Sequence, residues 1–211
     1  LGFSMPINNI KNSIDSFIKD GKVAYGWLGV LLIEANPEYK KSLGLENAQG
    51  ALVSQLFIGS PSYKGGIKPG DFIISLNGHK VKDVTQLTRD VGLLQSGTDA
   101  EFEVIRNGKT LKLSVKIEER SEKVVDDKKL WPGFIASPIT DEIREKLDLD
   151  KSIKGVIVSD VQEKTPAAFL RISKQDVITG VNGVKITNLQ EFYTELAKAD
   201  KSINFDIYAN G

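Results

Sequence analysis

The chain repeats itself once. Trp27-Leu28-Gly29-Val30 returns as Trp131-Pro132-Gly133-Phe134, 104 positions later. Gly50-Ala51-Leu52-Val53 returns as Gly155-Val156-Ile157-Val158, 105 positions later. Ser60-Pro61 matches Thr165-Pro166, Asp71-Phe72-Ile73 matches Asp176-Val177-Ile178, and Asn77-Gly78 matches Asn182-Gly183, all at that second spacing. Ordered matches at a near-constant shift do not arise by chance. A period of about 100 residues is too long for a solenoid unit and suits two small domains in tandem.

Each copy reads as mostly β with two helical pieces, an α+β class. In the first copy, residues 28–32 and 51–58 are apolar strand runs. Ser60 caps a short helix that has Pro61 at its first position, where a missing N–H costs nothing. Pro69-Gly70 is a turn, and Asn77-Gly78 and Asn107-Gly108 are hairpin turns. Val84, Leu87, Val91 and Leu94 recur at helical spacing. Leu111, Leu113, Val115 and Ile117 alternate with polar residues, as in a half-buried strand. The second copy repeats this as far as Asn210-Gly211, which reads as a hairpin turn without its second strand.

Residues 118–129 are dense in charge and read as a solvated linker. As a flexible coil it would span roughly 20 Å and leave the relative orientation of the domains free. Ahead of the first copy, Ile10, Ile14, Phe17 and Ile18 line one helical face, with Asn8 or Asn9 as N-cap and Gly21 as C-cap. The expected division is therefore 1–22 for an entering segment and helix, 23–118 and 130–211 for the two domains, and 119–129 for the linker.

Composition removes several function classes. Lys and Arg number 28 and Asp and Glu number 28. That balance argues against non-specific binding to nucleic acid or anionic membrane, which needs a basic surface to release counterions. With no Cys, thiolate metal sites, disulfides and Cys nucleophiles are excluded. The single His, His79, follows a turn and reads as a solvated loop residue. Asp71 and Asp176 read as turn or cap residues. No metal site or cofactor is expected. Gly2-Phe3-Ser4-Met5-Pro6 approaches a nucleophile-elbow pattern, but Pro6 replaces the final Gly and no strand precedes it. No apolar run reaches the ~18–20 residues of a membrane span.

The order Tyr25-Gly26-Trp27-Leu28-Gly29-Val30, Gly50-Ala51-x-Val53, Ser60-Pro61, Gly66-Ile67-x-Pro69-Gly70-Asp71-x-Ile73, Asn77-Gly78 and Asn107-Gly108 resembles a bacterial-type PDZ domain. Two such domains after Gly2-Phe3-Ser4-Met5-Pro6-x-Asn8 resemble the C-terminal half of an HtrA/DegP-type serine protease. The resemblance implies two small, partly open antiparallel β-barrels, each with two helices. It also implies a protease domain upstream of Leu1, a periplasmic or cell-envelope location, and a peptidase activity that this fragment does not itself carry. The second copy departs from the pattern, with Arg171 where Gly66 stands and Lys174-Gln175 for Pro69-Gly70.

The chemistry of such a groove follows from its parts. An x-φ-Gly-φ loop entering an edge strand can aim backbone N–H groups into one concavity that holds a carboxylate, while a peptide adds along the strand. The expected carboxylate loop is Trp27, Leu28, Gly29 and Val30. By resemblance, Val84, Thr88 and Val91 face the groove from the helix. One buried apolar side chain at ~1.5–3 kcal/mol, plus a few backbone bonds at ~0.5–1.5 kcal/mol each, leaves micromolar affinity after association costs. In the second copy the loop is Pro132, Gly133, Phe134 and Ile135, and the groove residues are Leu189, Tyr193 and Leu196. Pro132 has no N–H to donate, and Tyr193 in place of Thr88 narrows the pocket. Weaker binding is expected there, or use of the second copy for assembly.

The expected partners are C-terminal or unfolded peptides of protein substrates, the chain's own protease domain, and other subunits. The alternative is a PDZ scaffold or adaptor that binds a fixed partner and never belonged to a protease.

Overall fold

The computed structural model describes residues 25–120, 130–198 and 202–208. The entering segment, with its helical pattern, and residues 121–129 of the charged stretch lie outside the described residues. In the first repeat the elements are β1 (Gly26–Trp27), β2 (Val30–Ile33), α1 (Pro37–Leu43), β3 (Ala51–Phe57), α2 (Pro61–Lys64), β4 (Phe72–Leu76), β5 (His79–Lys80), α3 (Val84–Gly92), β6 (Asp99–Arg106), β7 (Lys109–Lys116) and β8 (Glu118–Glu119). The second repeat has β9 (Leu130–Trp131), β10 (Phe134–Pro138), α4 (Asp141–Lys146), β11 (Val156–Val161), α5 (Pro166–Phe169), β12 (Val177–Val181), β13 (Val184–Lys185), α6 (Leu189–Leu196) and β14 (Phe205–Tyr208). Each repeat thus has three helical segments rather than two, the additional one in the first repeat being the short helical turn that the sequence shows over Pro37–Leu43, ended by Gly44. The seven-residue α1 forms because Asn36 Oδ1 accepts the Tyr39 N–H at 2.9 Å and Gly44 closes it in the left-handed conformation.

The sheets are antiparallel and open. In the first repeat the strand order is β2-β3-β4-β6-β7, so β2 lies at an edge. In the second, the order β10-β11-β12-β13 puts β10 at the corresponding edge, with β14 also on β12. Asn77, Asn107 and Asn182 have φ near +50°, each followed by a glycine at positive φ, the backbone of two-residue hairpin turns. At the divergent turn of the second repeat the backbone is retained. Arg171 and Gln175 take φ of 61° and 80° where Gly66 and Gly70 have 82° and 90°.

Two expectations change. Glu118 and Glu119 are not linker. They pair with Trp27 and Gly26 as β8, because strand pairing uses the backbone and needs no apolar side chain. Lys64 Nζ also meets Glu118 Oε1 at 2.6 Å. Nor do the repeats simply hang from a tether. β9 pairs with β3 of the first repeat, Leu56 opposite Trp131 and Phe57 opposite Leu130.

One apolar core, around Leu28, Val53, Leu87 and Phe102, belongs to the first repeat alone. The other joins Phe134, Phe192, Tyr193 and Leu196 to Leu43, Leu45, Leu52 and Phe72 of the first repeat. At about 1.5–3 kcal/mol per fully buried large side chain, this shared core fixes the relative placement of the repeats. Tyr193 packs so closely on Gly70 that an added Cβ there would lie 2.4 Å from the Tyr193 Cβ. Gly66 has similar φ and nothing within 4 Å of an added Cβ. Gly66→Ala therefore reports backbone strain alone, and Gly70→Ala reports strain plus overpacking between repeats. Gly70→Ala is expected to cost about 1–3 kcal/mol more than Gly66→Ala in urea denaturation. Equal losses would show that the repeats do not press on each other at this point.

Candidate peptide groove

The first repeat carries an open trough of about 540 Å³ between β2 and α3. Its loop end is built by rearward anchoring. The Leu28 carbonyl accepts the Ser62 N–H at 2.9 Å. The Gly29 carbonyl accepts the Phe57 N–H at 3.0 Å and the Ser62 hydroxyl at 3.0 Å. Ser62 Oγ in turn meets Ser60 Oγ at 2.7 Å, and both serines are fully buried. Across a trans peptide the N–H points opposite to the carbonyl. Tying back the Leu28 and Gly29 carbonyls therefore directs the Gly29 and Val30 N–H groups toward the trough. The register agrees: Val30 faces Leu56 beside the Phe57–Gly29 bond, a non-hydrogen-bonded position that leaves the Val30 N–H turned away from β3. Among the described residues, the Leu28 and Gly29 N–H groups have no hydrogen-bond acceptor.

Gly29 is required at this point. Its φ is +79°, and an added Cβ would lie 2.3 Å from the Ser60 Cβ. Trp27 is buried, packs on Phe57 at a centroid distance of 5.8 Å, and lines the trough, so it is both core and wall. Opposite, α3 starts at Asp83, whose Oδ1 accepts the Gln86 N–H at 2.7 Å. The helix presents Leu87, Thr88 and Val91 to the trough. Val84 stands apart. It is half-buried against the core, and its N–H donates to Glu34 Oε1 at 2.8 Å.

Arg89 and Arg120 also line the trough and place positive charge on its wall. Sequence reading missed both. Arg89 is adjacent to Thr88 and could have been found from helical position. Arg120 was hidden inside the stretch taken as linker, and its N–H in fact donates to the Tyr25 carbonyl at 2.9 Å.

The second repeat keeps the loop but not the opening. Gly133 has φ +93°, and its carbonyl accepts the Gln162 N–H at 2.9 Å and the Thr165 hydroxyl at 3.3 Å. This directs the Phe134 N–H as Val30 is directed. Phe134 itself is fully buried and Ile135 half-buried, while Pro132 begins the loop with no donor. Leu189, Tyr193 and Leu196 do not form the wall of an open groove along β10; Leu196 instead edges a separate cavity between the repeats, with Leu56, Tyr63 and Trp131. Leu189, Tyr193 and Leu196 are all buried in the core shared with the first repeat, where α1 packs on α6 and β3 packs on β10. Burial raises the Tyr193 phenol pKa strongly, and its hydroxyl has no hydrogen-bond partner among the described residues.

Asp71 and Asp176 act as turn acceptors, for the N–H groups of Lys68 at 2.9 Å and Ser173 at 2.8 Å. Asp71 is also fully buried and holds Arg106 by two bonds of 2.6 Å. Exposed His79 lies in β5. Among the described residues, no group of three or more His, Asp or Glu side chains converges to hold a metal, and no helix is long and apolar enough to cross a membrane.

An edge strand, a glycine loop with inward N–H groups and a flanking helix, present twice in one chain, define a tandem of peptide-groove modules. The PDZ domain family model matches residues 26–117 and 133–211, and the chain belongs to that family. Its relatives are serine endoproteases of the DegP/HtrA type. It is 31% identical over 191 residues to "Periplasmic serine endoprotease DegP" of Salmonella typhimurium, covering 90% of this chain and 38% of that protein. It is 34% identical over 224 residues to "Probable periplasmic serine endoprotease DegP-like" of Pseudomonas fluorescens, covering 100% of this chain and 46% of that protein. The chain thus spans less than half the length of these relatives. A solved structure of a variant of the HtrA-type protease AlgW with a decapeptide matches 57% of this chain and 36% of that one, at 30% identity and a TM-score of 0.50.

Proposed function

We propose that the chain is the peptide-binding, regulatory part of a periplasmic HtrA-type serine endoprotease engaged in protein quality control. Its first groove recruits C-termini or extended hydrophobic segments of unfolded substrates, and the tandem contributes to oligomer assembly. The peptide-bond cleavage itself belongs to a protease domain outside this chain. The observation that carries the reading is the pair of N–H groups, of Gly29 and Val30, aimed into a trough beside a free strand edge. A peptide would add antiparallel to β2, set its carboxylate on those N–H groups near Arg89 and Arg120, and bury its last side chain beside Leu87 and Val91.

The test is fluorescence polarisation with short peptides, each made with a free and an amidated C-terminus. Micromolar binding, about −8 kcal/mol, is expected for apolar C-termini. Amidation should weaken it at least tenfold. Thr88→Tyr, which fills the exposed helix position facing the trough, should weaken it by a similar factor. Binding indifferent to both changes would overturn the carboxylate reading of this loop.

A further inference from the structure

The groove of the second repeat is occupied by the first repeat. In the register of the duplication, Gly133 is the counterpart of Gly29, whose N–H faces the open trough. The Gly133 N–H instead donates to the side-chain oxygen of Gln55, at 3.1 Å. Gln55 belongs to β3 of the first repeat and is fully buried. Its amide oxygen stands where a ligand carboxylate oxygen would stand. Along the β10 edge, the Tyr39 hydroxyl reaches the Ala136 carbonyl at 3.3 Å and also bonds Ser137 Oγ. At the helix wall, Ser42 Oγ accepts the Leu189 N–H at 3.2 Å. Loop, edge strand and helix of the second groove are each engaged by a side chain of the first repeat.

We propose that the second repeat retains a working site for C-terminal peptides, held closed in cis by Gln55 and the α1 helix. This extends the peptide-groove reading to the second repeat. Two features separate a latent site from an inert piece of core. The loop keeps the left-handed glycine and one of the two rearward carbonyl anchors of the open site, the one on the glycine itself, geometry that a mere packing surface has no need of. The occupant is also an imperfect ligand. Gln55 Nε2 and the Tyr193 hydroxyl are buried with no hydrogen-bond partner among the described residues. Buried polar groups are paired in the great majority of cases, so two at one boundary mark a closure that is not optimised. A carboxylate accepts from backbone N–H groups more strongly than an amide oxygen does. A competing C-terminus therefore exchanges a neutral contact for a charge-assisted one. The apparent affinity of the second groove is its intrinsic affinity reduced by the fraction of molecules in which α1 is released.

The experiment follows the Gly29, Val30, Gly133 and Phe134 amide resonances of the 211-residue chain during titration with a peptide pool. The pool consists of decapeptides with free C-termini, degenerate among Ala, Val, Leu and Phe at the last three positions, with the amidated pool as reference. In the unmodified chain, the concentration that saturates Gly29 and Val30 should leave Gly133 and Phe134 unmoved. In Gln55→Ala/Tyr39→Ala, the Gly133 and Phe134 amides should respond with apparent affinity at least tenfold tighter than in the unmodified chain, and only to free carboxylates. Gln55→Ala alone removes one contact without disturbing α1 and should give a smaller gain, which keeps the test usable if the double variant fails to fold. A folded open variant whose Gly133 and Phe134 amides never move overturns the proposal, as does an unmodified chain that responds as readily as the variants. Silence at Gly29 with a response at Gly133 overturns the reading of the first groove and leaves this one standing.

Discussion

Replacing Arg106 by methionine is expected to destabilise the chain by about 3–5 kcal/mol at neutral pH, because it strands a carboxylate in the core. The Asp71 side chain is fully buried, and its two oxygens accept from Arg106 Nε and Nη2. Arg106 Nη2 also donates to the Gly66 carbonyl at 2.7 Å, so the pair pins the turn that carries Gly70 against Tyr193. Burial pushes the Asp71 carboxyl above its ordinary value of 3.8, with Arg106 and the Lys68 N–H pulling it back. A raised acid pKa means that the folded chain holds the proton more tightly than the unfolded chain. The stability linked to that proton is fully present below the unfolded value and is lost as pH rises through the folded value. Without Arg106 the folded pKa climbs further, so the loss in Arg106→Met is largest at neutral pH and shrinks on acidification. Urea denaturation at pH 7 and near pH 4 checks this. An equal loss at both would mean that packing, not the unpaired charge, is responsible.

Gly29→Ala is expected to abolish peptide binding in the first groove, a loss of at least tenfold and with most peptides complete. The new methyl would lie 2.3 Å from the Ser60 Cβ, in a backbone conformation that L-residues rarely adopt. The loop must then leave Ser60 and Ser62, and the rearward anchors that aim the Gly29 and Val30 N–H groups are lost with it. A hydrogen bond to a charged group is worth about 1.5–3 kcal/mol, so losing even one accounts for the tenfold change. Gly59→Ala is the matched reference. Its φ is +77°, and an added Cβ meets nothing within 4 Å. It carries a similar backbone penalty and should bind peptide normally. Polarisation titrations of the two variants side by side decide the matter, and comparable loss in both would remove the loop-anchoring explanation.

What could be read from the sequence was local or periodic. The Asn-Gly turns announce themselves because their backbone conformation needs those residues. The duplication places the two glycine loops, and helical spacing places α3. What escaped was which repeat supplies each partner. Ala51–Leu56 is a run of buried residues whichever neighbour it has, so nothing local says that Leu56 and Phe57 pair with β9 or that Gln55 reaches Gly133. The spacing that carried Leu189, Tyr193 and Leu196 onto a groove wall could not report that α1 lies over them. Arg106 ends an alternating strand and reads as a surface cation until Asp71, 35 residues earlier, is seen beneath it.

The pairing of β9 with β3 bears on what a severed copy of either repeat would be like. Among the described residues, Leu56 and Phe57 have β2 on one side and, beyond the reach of β4, only β9 on the other. A first repeat separated from the second would present that stretch as a bare, apolar strand edge, a template for joining foreign chains. A second repeat set free would begin with a strand that has lost its sheet. The duplication has thus ceased to yield interchangeable cassettes. Exchanging one repeat for that of a distant relative would uncover the apolar edge of Leu56 and Phe57 unless the newcomer supplied a strand in place of β9.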